Sequence, residues 1–391
     1  MSHQLISLSP DLKKLRDEGY EIQIINGHLL VYHIPYVNTK KEIAYGILVS
    51  QLDMAGERTA KPGNHVIYFQ GEYPCDKEGS PLTGIRDKSE RKNLAEGVQV
   101  DHSFSNKPQN GYADYYEKVT NYVKILQSQA EAIDHAVIAK TFKVIEDAET
   151  ESVFNYLDTN SSRAEIMGIS DKLNILKIAV IGLGGTGSYI LDLISKTGVK
   201  EIHIFDGDEF RQHNAFRAPG ASSKETLNIQ PKKVAYFHEI YSKIRKNIFP
   251  HEYNISADKL EVLSEMNFVF ICIDNGEAKK GIVEKLLRDN IPFIDVGIGV
   301  NAVEGSLTGS VRVTTVTNAK TDHIGSKIDF SDKGNNDYVQ NIQIVELNAL
   351  NATLAVIKWK KLFGFYHDKE KEFHSVYNIN INDVVNDDHI T

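Results

Sequence analysis

Cysteine is nearly absent: the chain of 391 residues holds two, Cys75 and Cys272. Two thiols cannot build a disulfide framework, so a reducing compartment is the expectation. No CxxC pair and no HExxH occurs, which removes the recognisable spacings of structural zinc. Basic charge is not in excess, since 44 Lys and Arg stand against 53 Asp and Glu, a net charge of −9. A phosphate backbone calls for a basic face, so nucleic acid is not an expected partner. Long hydrophobic runs are missing too. A stretch such as LNILKIAVIGLGG is interrupted and too short to cross a bilayer, so no membrane partner is expected. The opening MSHQLISLSPDLKKLRDEGY has no basic-then-apolar pattern, and the expected location is the cytoplasm. No repeat is visible.

What remains is a globular composition, 41% hydrophobic and 25% charged, in a chain long enough for two domains. Residues 1–150 read as a smaller α+β unit. It begins with a short amphipathic helix near Leu12 to Glu18. The apolar strands EIQIINGHLLVYHI, IAYGILVSQL and HVIYFQGEY follow, separated by turn residues such as Asn26-Gly27 and Lys61-Pro62-Gly63. The polar stretch from Asp76 to Asn110 reads as a long loop, and a helix is expected from about Asp114 to Ala136. An acidic segment from Ile145 to Asn160 reads as the linker. Residues 160–391 alternate short buried strands (KIAVIGL, EIHIFD, NFVFICID, IPFIDVG) with helices. That is the pattern of a doubly wound, mostly parallel α/β sheet. IQIVELNALNATLAVIKWKKLF reads as a long helix near the end.

The first of these strands runs straight into Gly182-Leu183-Gly184-Gly185-Thr186-Gly187 and then a helix. Glycines let backbone approach a phosphate, and a helix N-terminus offers unpaired amides and partial positive charge. Asp206 ends the next strand, nineteen residues after Gly187, where a carboxylate can accept from ribose hydroxyls. Strand, loop, helix, strand and acid in order predict an adenine nucleotide. A nicotinamide dehydrogenase opens in the same way but needs few further charges. ATP chemistry needs cations around the phosphates and an acid for magnesium.

Such charges follow. Asp206-Gly207-Asp208-Glu209 leads to Asn214-Ala215-Phe216-Arg217, then Gln230-Pro231-Lys232-Lys233, and Asp274-Asn275 closes a later strand. Strand C-termini of a parallel sheet converge on one crevice, which places Asp206 and Asp274 beside the glycine loop with Arg217 and a lysine in reach. Asp208 is either a turn cap or a catalytic acid, and Asp274 either a helix cap or a metal ligand.

From about Ser161 to Phe365 the sequence resembles the ThiF/MoeB and ubiquitin-activating enzyme superfamily. The matching segments are GLGGTG, DGDEFRQHNAFR, QPKKV, ICIDN and IPFIDVGIG followed by SLTGSVRV. The resemblance implies a Rossmann-like activating-enzyme fold, ATP and magnesium as cofactors, and a homodimer. It implies adenylation of the C-terminal carboxylate of a ubiquitin-like or sulfur-carrier protein. Gly182, Gly184, Gly185 and Gly187 would line the nucleotide and Asp206 would hold the ribose. Asn214, Arg217 and Lys232 would face the triphosphate, with Lys233 the alternative lysine, and Asp274 would bind magnesium. Ser161-Ser162-Arg163 resembles an element whose arginine reaches a partner subunit's phosphates. An NAD-dependent oxidoreductase and a non-catalytic nucleotide-binding scaffold are the competing readings.

Members of this superfamily often pass the acyl group to a cysteine beyond the position of Asp295, and none occurs there. Cys272 reads as part of a buried strand. Cys75 follows His65 by ten residues, a spacing similar to that of ubiquitin-conjugating enzymes, which makes it the candidate thioester acceptor. Residues 1–150 would then be conjugating-enzyme-like, although a reactive thiolate needs a basic neighbour that is not evident in the sequence. His102 is a second loop candidate.

Overall fold

The structure is a computed structural model that describes residues 2–145, 152–164, 166–174, 176–331 and 342–389. It contains two compact units, residues 1–149 and 150–391. Among the described residues no helix is long and apolar enough to cross a membrane.

The first unit opens with α1 (Ser2–Leu8) and α2 (Pro10–Asp17). The strands β1 (Ile22–Ile25), β2 (His28–Val37) and β3 (Ile43–Gln51) then form a meander. Asn26 and Gly27 both have positive φ, 46° and 74°, the backbone that a two-residue hairpin turn requires. A small ribbon, β4 (Met54–Ala55) and β5 (Arg58–Thr59), precedes β6 (Val66–Gln70).

The stretch read as a long loop instead contains a hairpin, β7 (Arg86–Ala95) and β8 (Val98–Ser105). In the sheet order β1-β2-β3-β6-β8-β7, β7 lies at the edge. Its residues Arg86–Asn93 are all exposed, so its sequence RDKSERKNLA carries no apolar alternation to betray a strand. The helix α3 (Tyr115–Glu131) is capped by Asp114, whose carboxylate accepts from the Glu117 amide at 2.7 Å. Its Tyr115, Val119, Tyr122 and Leu126, spaced four, three and four apart, pack onto Leu29, Ile34, Leu48, Phe69 and Phe104.

The second unit opens with the short helices α4 (Thr159–Arg163) and α5 (Met167–Ser170). Strand β9 (Lys177–Ile181), α6 (Gly185–Ser195) and β10 (Glu201–Phe205) follow. After α7 (Gln212–Ala215), α8 (Lys224–Ile229) and α9 (Lys233–Tyr241) come β11 (Ile248–His251), β12 (Phe268–Ile271) and α10 (Gly276–Arg288). The chain continues through β13 (Phe293–Val303), β14 (Ser306–Val316), α11 (Ile324–Lys327), α12 (Val345–Leu362), β15 (Glu372–Asn378) and β16 (Asp383–His389).

The sheet order is β11-β10-β9-β12-β13-β14-β15-β16. The first five strands are parallel, and the last three are added antiparallel. Chain order reverses between β9 and β12, the switch point at which a doubly wound sheet opens its crevice. Helices α6, α9 and α12 cover one face around Ile178, Ile190, Val234 and Trp359. Helix α10 and the 3-10 helix Ala257–Glu265 cover the other, around Val269, Ile282 and Phe293. Both faces are buried, which is why these strands read as continuous apolar runs.

Ile190 is fully buried at the centre of the first of these layers. Ile190→Ala is expected to lower unfolding free energy by about 2–5 kcal/mol. Urea titration followed by the fluorescence of Trp359, the single tryptophan of the chain, reads this unit directly.

Candidate functional site

The glycine loop leaves β9 through Gly182, whose φ of 90° places it in the left-handed region. A methyl there would meet the Cys272 carbonyl oxygen at 2.7 Å, and one on Gly187 would overlap the Gly182 carbonyl oxygen. At Gly185 it would strike the carboxamide of Asn348 on α12. Around Gly184 there is open space. The loop is therefore packed from behind and free in front, as a phosphate cradle must be. Among the described residues the amides of Gly184, Gly185 and Thr186 meet no backbone or side-chain acceptor.

Asp206 is 5% exposed and ties three stretches together. Its carboxylate accepts from the Leu183 amide at 2.8 Å and the Asp208 amide at 2.9 Å. Lys233 Nζ lies 3.2 Å away and also holds Asp208 at 2.7 Å. Lys233, 7% exposed, opens α9, so helix position fixes the amine against both acids. Lys232, one residue earlier, donates to the Gly207 carbonyl at 2.8 Å. The two lysines thus differ. Lys233 is committed to carboxylates, whereas Lys232 rests on a neutral oxygen that a phosphate oxygen can replace. The Lys233 amine bonded to Asp208 holds that carboxyl below the usual carboxylate range.

Arg217 follows α7. Its buried Nε has no hydrogen-bond partner; burial pulls the guanidinium's pKa down, and Asp274, just beyond β12, opposes that pull. The backbone carbonyl and side chain of Cys272 and Ile273 pack on Gly182, so Asp274 sits at the rim of the glycine loop. Asn275, not Asp274, caps α10, accepting from the Ala278 amide at 2.8 Å. Asn214 is buried, and its side-chain oxygen accepts from the Arg211 amide at 2.8 Å, which holds α7 in shape.

Asp206, Asp208, Arg217, Lys232, Lys233, Asn214 and Asp274 therefore occupy one end of the sheet with the loop. Arg163 does not join them; it is exposed at the last position of α4. The α4 cap is Asp158, bonded to Ser161 Oγ at 2.6 Å. Sequence reasoning missed Asn348 and Asn351. Both are buried, and they sit on the stripe of α12 that also carries Ala352, Ala355 and Trp359. Asn348 accepts from Thr186 Oγ1 at 3.1 Å and Asn351 donates to the Gly297 carbonyl at 3.0 Å. Polar residues interrupting an apolar stripe were the available signal.

The reading of Cys75 as an acyl acceptor is corrected by its surroundings. The residue is 0% exposed, and its backbone forms bridges with Val37 and Pro81. Burial, Asp76 and Glu72 all push its thiol up, which disfavours the thiolate. His65 bonds Ser105 Oγ at 3.0 Å. His102 is not in a loop: it lies in β8, edge-on to Tyr73, and burial pulls its pKa down. Cys272 lies one residue past β12, partly buried against α6, and burial raises its thiol as well.

A family described as the ThiF family matches residues 161–375, more than half of the chain. The chain belongs to the ThiF family. A domain of unknown function, DUF6791, matches residues 10–159. Among similar proteins, ubiquitin-like modifier-activating enzyme 5 of Xenopus laevis is 27% identical over 149 residues, covering 35% of this chain and 37% of that protein. The Mus musculus protein of the same name is 26% identical over 157 residues, covering 37% and 39%. This ThiF-family chain thus spans under two fifths of these relatives' length. Among solved structures, E. coli MccB with MccA-N7isoASN aligns at 17% identity with a TM-score of 0.47, covering 56% of this chain and 66% of that one. PaaA aligns at 14% with a TM-score of 0.46, covering 59% and 80%.

Several outcomes test these placements. Lys233→Met leaves Asp206 buried without its cation and is expected to destabilise the unit by roughly 3–5 kcal/mol. In the same variant the Asp208 carboxyl moves up toward its ordinary value, read by carboxyl-carbon NMR. The stability that the Lys233–Asp208 pair contributes is present above the ordinary carboxylate range and lost as pH falls through the lowered folded value. Cys75 is expected to resist iodoacetamide in the native chain and to react on denaturation. Rapid native labelling would refute its burial.

Proposed function

We propose that this ThiF-family chain binds ATP with magnesium and transfers AMP to the C-terminal carboxylate of a ubiquitin-like or sulfur-carrier protein. The observation that carries this reading is Arg217: a guanidinium with a buried, unpartnered Nε and a coulombic partner in Asp274, which follows the strand beside the glycine loop. A nicotinamide cofactor gives such a cation no anion beyond its pyrophosphate; a triphosphate does. The similar proteins named as ubiquitin-like modifier-activating enzymes support the same choice of acceptor.

The free amides at the start of α6 would take phosphate oxygens. Asp206 already accepts three hydrogen bonds, and a carboxylate has about four acceptor positions, which leaves room for one ribose hydroxyl. Among the described residues no cluster of three or more His, Cys, Asp or Glu could hold a metal alone. Magnesium commonly takes about one or two carboxylates and completes its shell with phosphate oxygens and water. Asp274 would be the carboxylate, and the ion when bound supplies charge neutralisation at the phosphates.

In the reaction a carboxylate oxygen bonds to the α-phosphorus while the bond from that phosphorus to the bridging oxygen breaks. Pyrophosphate leaves with the electron pair, and no proton need move. Arg217 and Lys232 offset negative charge gathering on the phosphates. Asn214 fixes the turn that aims Arg217. A second copy of the chain would bring Arg163 to the phosphates, which makes the homodimer the working unit. The exposure of Arg163 at the end of α4 favours this.

Arg217→Ala and Asp274→Ala are each expected to lower acceptor-dependent ATP–pyrophosphate exchange by about 10²–10³. The Trp359 unfolding transition is expected to stay in place. Exchange at the unsubstituted rate in either variant removes that residue from the mechanism. Nucleotide binding with no exchange for any carboxylate-ended peptide removes the adenylation reading.

A further inference from the structure

A second charge cluster stands beside the crevice, outside the nucleotide-facing set. Asp295 on β13 is 0% exposed. Arg312 on β14 donates from Nη2 to one of its oxygens at 2.6 Å. Lys279, in the first turn of α10, lies 3.0 Å from the other oxygen, close enough for an ion pair though not aligned for a hydrogen bond. Arg312 also donates to Thr314 Oγ1 at 2.5 Å, and that hydroxyl meets His374 Nδ1 at 3.0 Å. Burial, with Lys327 and Arg312 nearby, pulls His374 down to about 4, so it is neutral at neutral pH. The neighbouring charges Lys327, Asp387, Asp388 and Lys320 pair among themselves. Two cations on one carboxylate, Lys279 buried and Arg312 partly so, leave a net positive charge beside a fully buried acid.

Strand register places this charge. Ile181, the last residue of β9 before the glycine loop, is level with Ile271, and Ile271 is level with Asp295. Gly297, two residues further along, pairs with Arg312. Arg312 is therefore at the height of the glycine loop. It stands three strand spacings to the side, about 14 Å. The guanidinium lies over Gly297, where a methyl would meet Nη2 at 2.7 Å, so only glycine admits it in this position. On the adenylation reading, the nucleotide would run from Asp206 on the β10 side across the loop to Asp274 on the β12 side. Next in line are β13 and β14, the approach left for a second substrate. Arg312 keeps 20% of its side chain exposed, and its Nε and remaining hydrogens have no partner among the described residues. A planar fork with free donors and net positive charge suits a carboxylate.

We propose that Arg312, held over Gly297 by Asp295 and Lys279, binds the carboxylate that is to be adenylated. This rests on the adenylation reading and adds to it the place and the recognising group for the acceptor. Arg312 would orient the carboxylate toward the α-phosphate and hand it over as the new bond forms. Asp295 and Lys279 are positioning residues, acting through Arg312.

The test uses the full chain saturated with a non-hydrolysable ATP analogue. The probe is a fluorescent hexapeptide with a glycine end, as free acid and as C-terminal amide, read by anisotropy. The unsubstituted chain is expected to bind the acid at least tenfold more tightly than the amide. Arg312→Met is expected to abolish that preference, and Arg312→Lys to restore part of it. Removing Arg312 leaves Asp295 paired with Lys279, so the Trp359 unfolding transition is expected to persist; should Arg312→Met unfold, Arg312→Lys carries the comparison through its weakened preference. A retained preference in Arg312→Met, or no preference in the unsubstituted chain, overturns the assignment. Preference for the acid without pyrophosphate exchange keeps Arg312 as a carboxylate site and discards adenylation instead.

Discussion

One buried carboxylate organises the crevice. Asp206 accepts the amide of Leu183 from the glycine loop and the amide of Asp208 from the acidic turn, and it pairs with Lys233 at the start of α9. Each of these groups belongs to a different stretch of chain. Loop, turn and helix are therefore fixed relative to one another by a single side chain. Buried ion pairs are weak sources of net stability, because desolvation offsets the attraction. What this pair supplies is placement: without Lys233 the carboxylate would be buried and uncompensated, and the loop would lose the acid that shapes it.

The rest of the site follows from that placement. The loop is packed against Cys272 at Gly182 and against Asn348 at Gly185, and it is open around Gly184. Lys232 rests on a carbonyl oxygen and Arg217 has a bare Nε, so both have donors to give. Beyond Asp274 the antiparallel addition of β14 brings Arg312 to the same level. The crevice thus runs from an acid that suits a ribose, through amides and cations that suit phosphates, to a guanidinium that suits a carboxylate.

Legibility differed between the two units. In the second, the strands were readable because both faces are covered and each strand is a nearly unbroken apolar run, as in Phe268–Ile271. In the first, the hairpin of β7 and β8 was hidden, since an exposed edge strand such as RDKSERKNLA has no reason to alternate. Cys75 was misread for a related reason. Its neighbours Tyr73, Pro74 and Asp76 look like a surface turn, yet the backbone of Cys75 bridges to Val37 and Pro81 and the residue is buried.

By itself the sequence determined the parallel strands, the glycine loop and the order of Asp206, Arg217, Lys232, Lys233 and Asp274, because each depends on local backbone needs or short spacing. Tertiary structure alone decided which lysine is locked to carboxylates and which is available, that Asn348 backs the loop, and that Asp295 gathers Lys279 and Arg312. Those outcomes depend on burial and on the register between strands remote in sequence. A charge is recognisable in a sequence, but the partner that neutralises it, or fails to, is set only when the sheet closes.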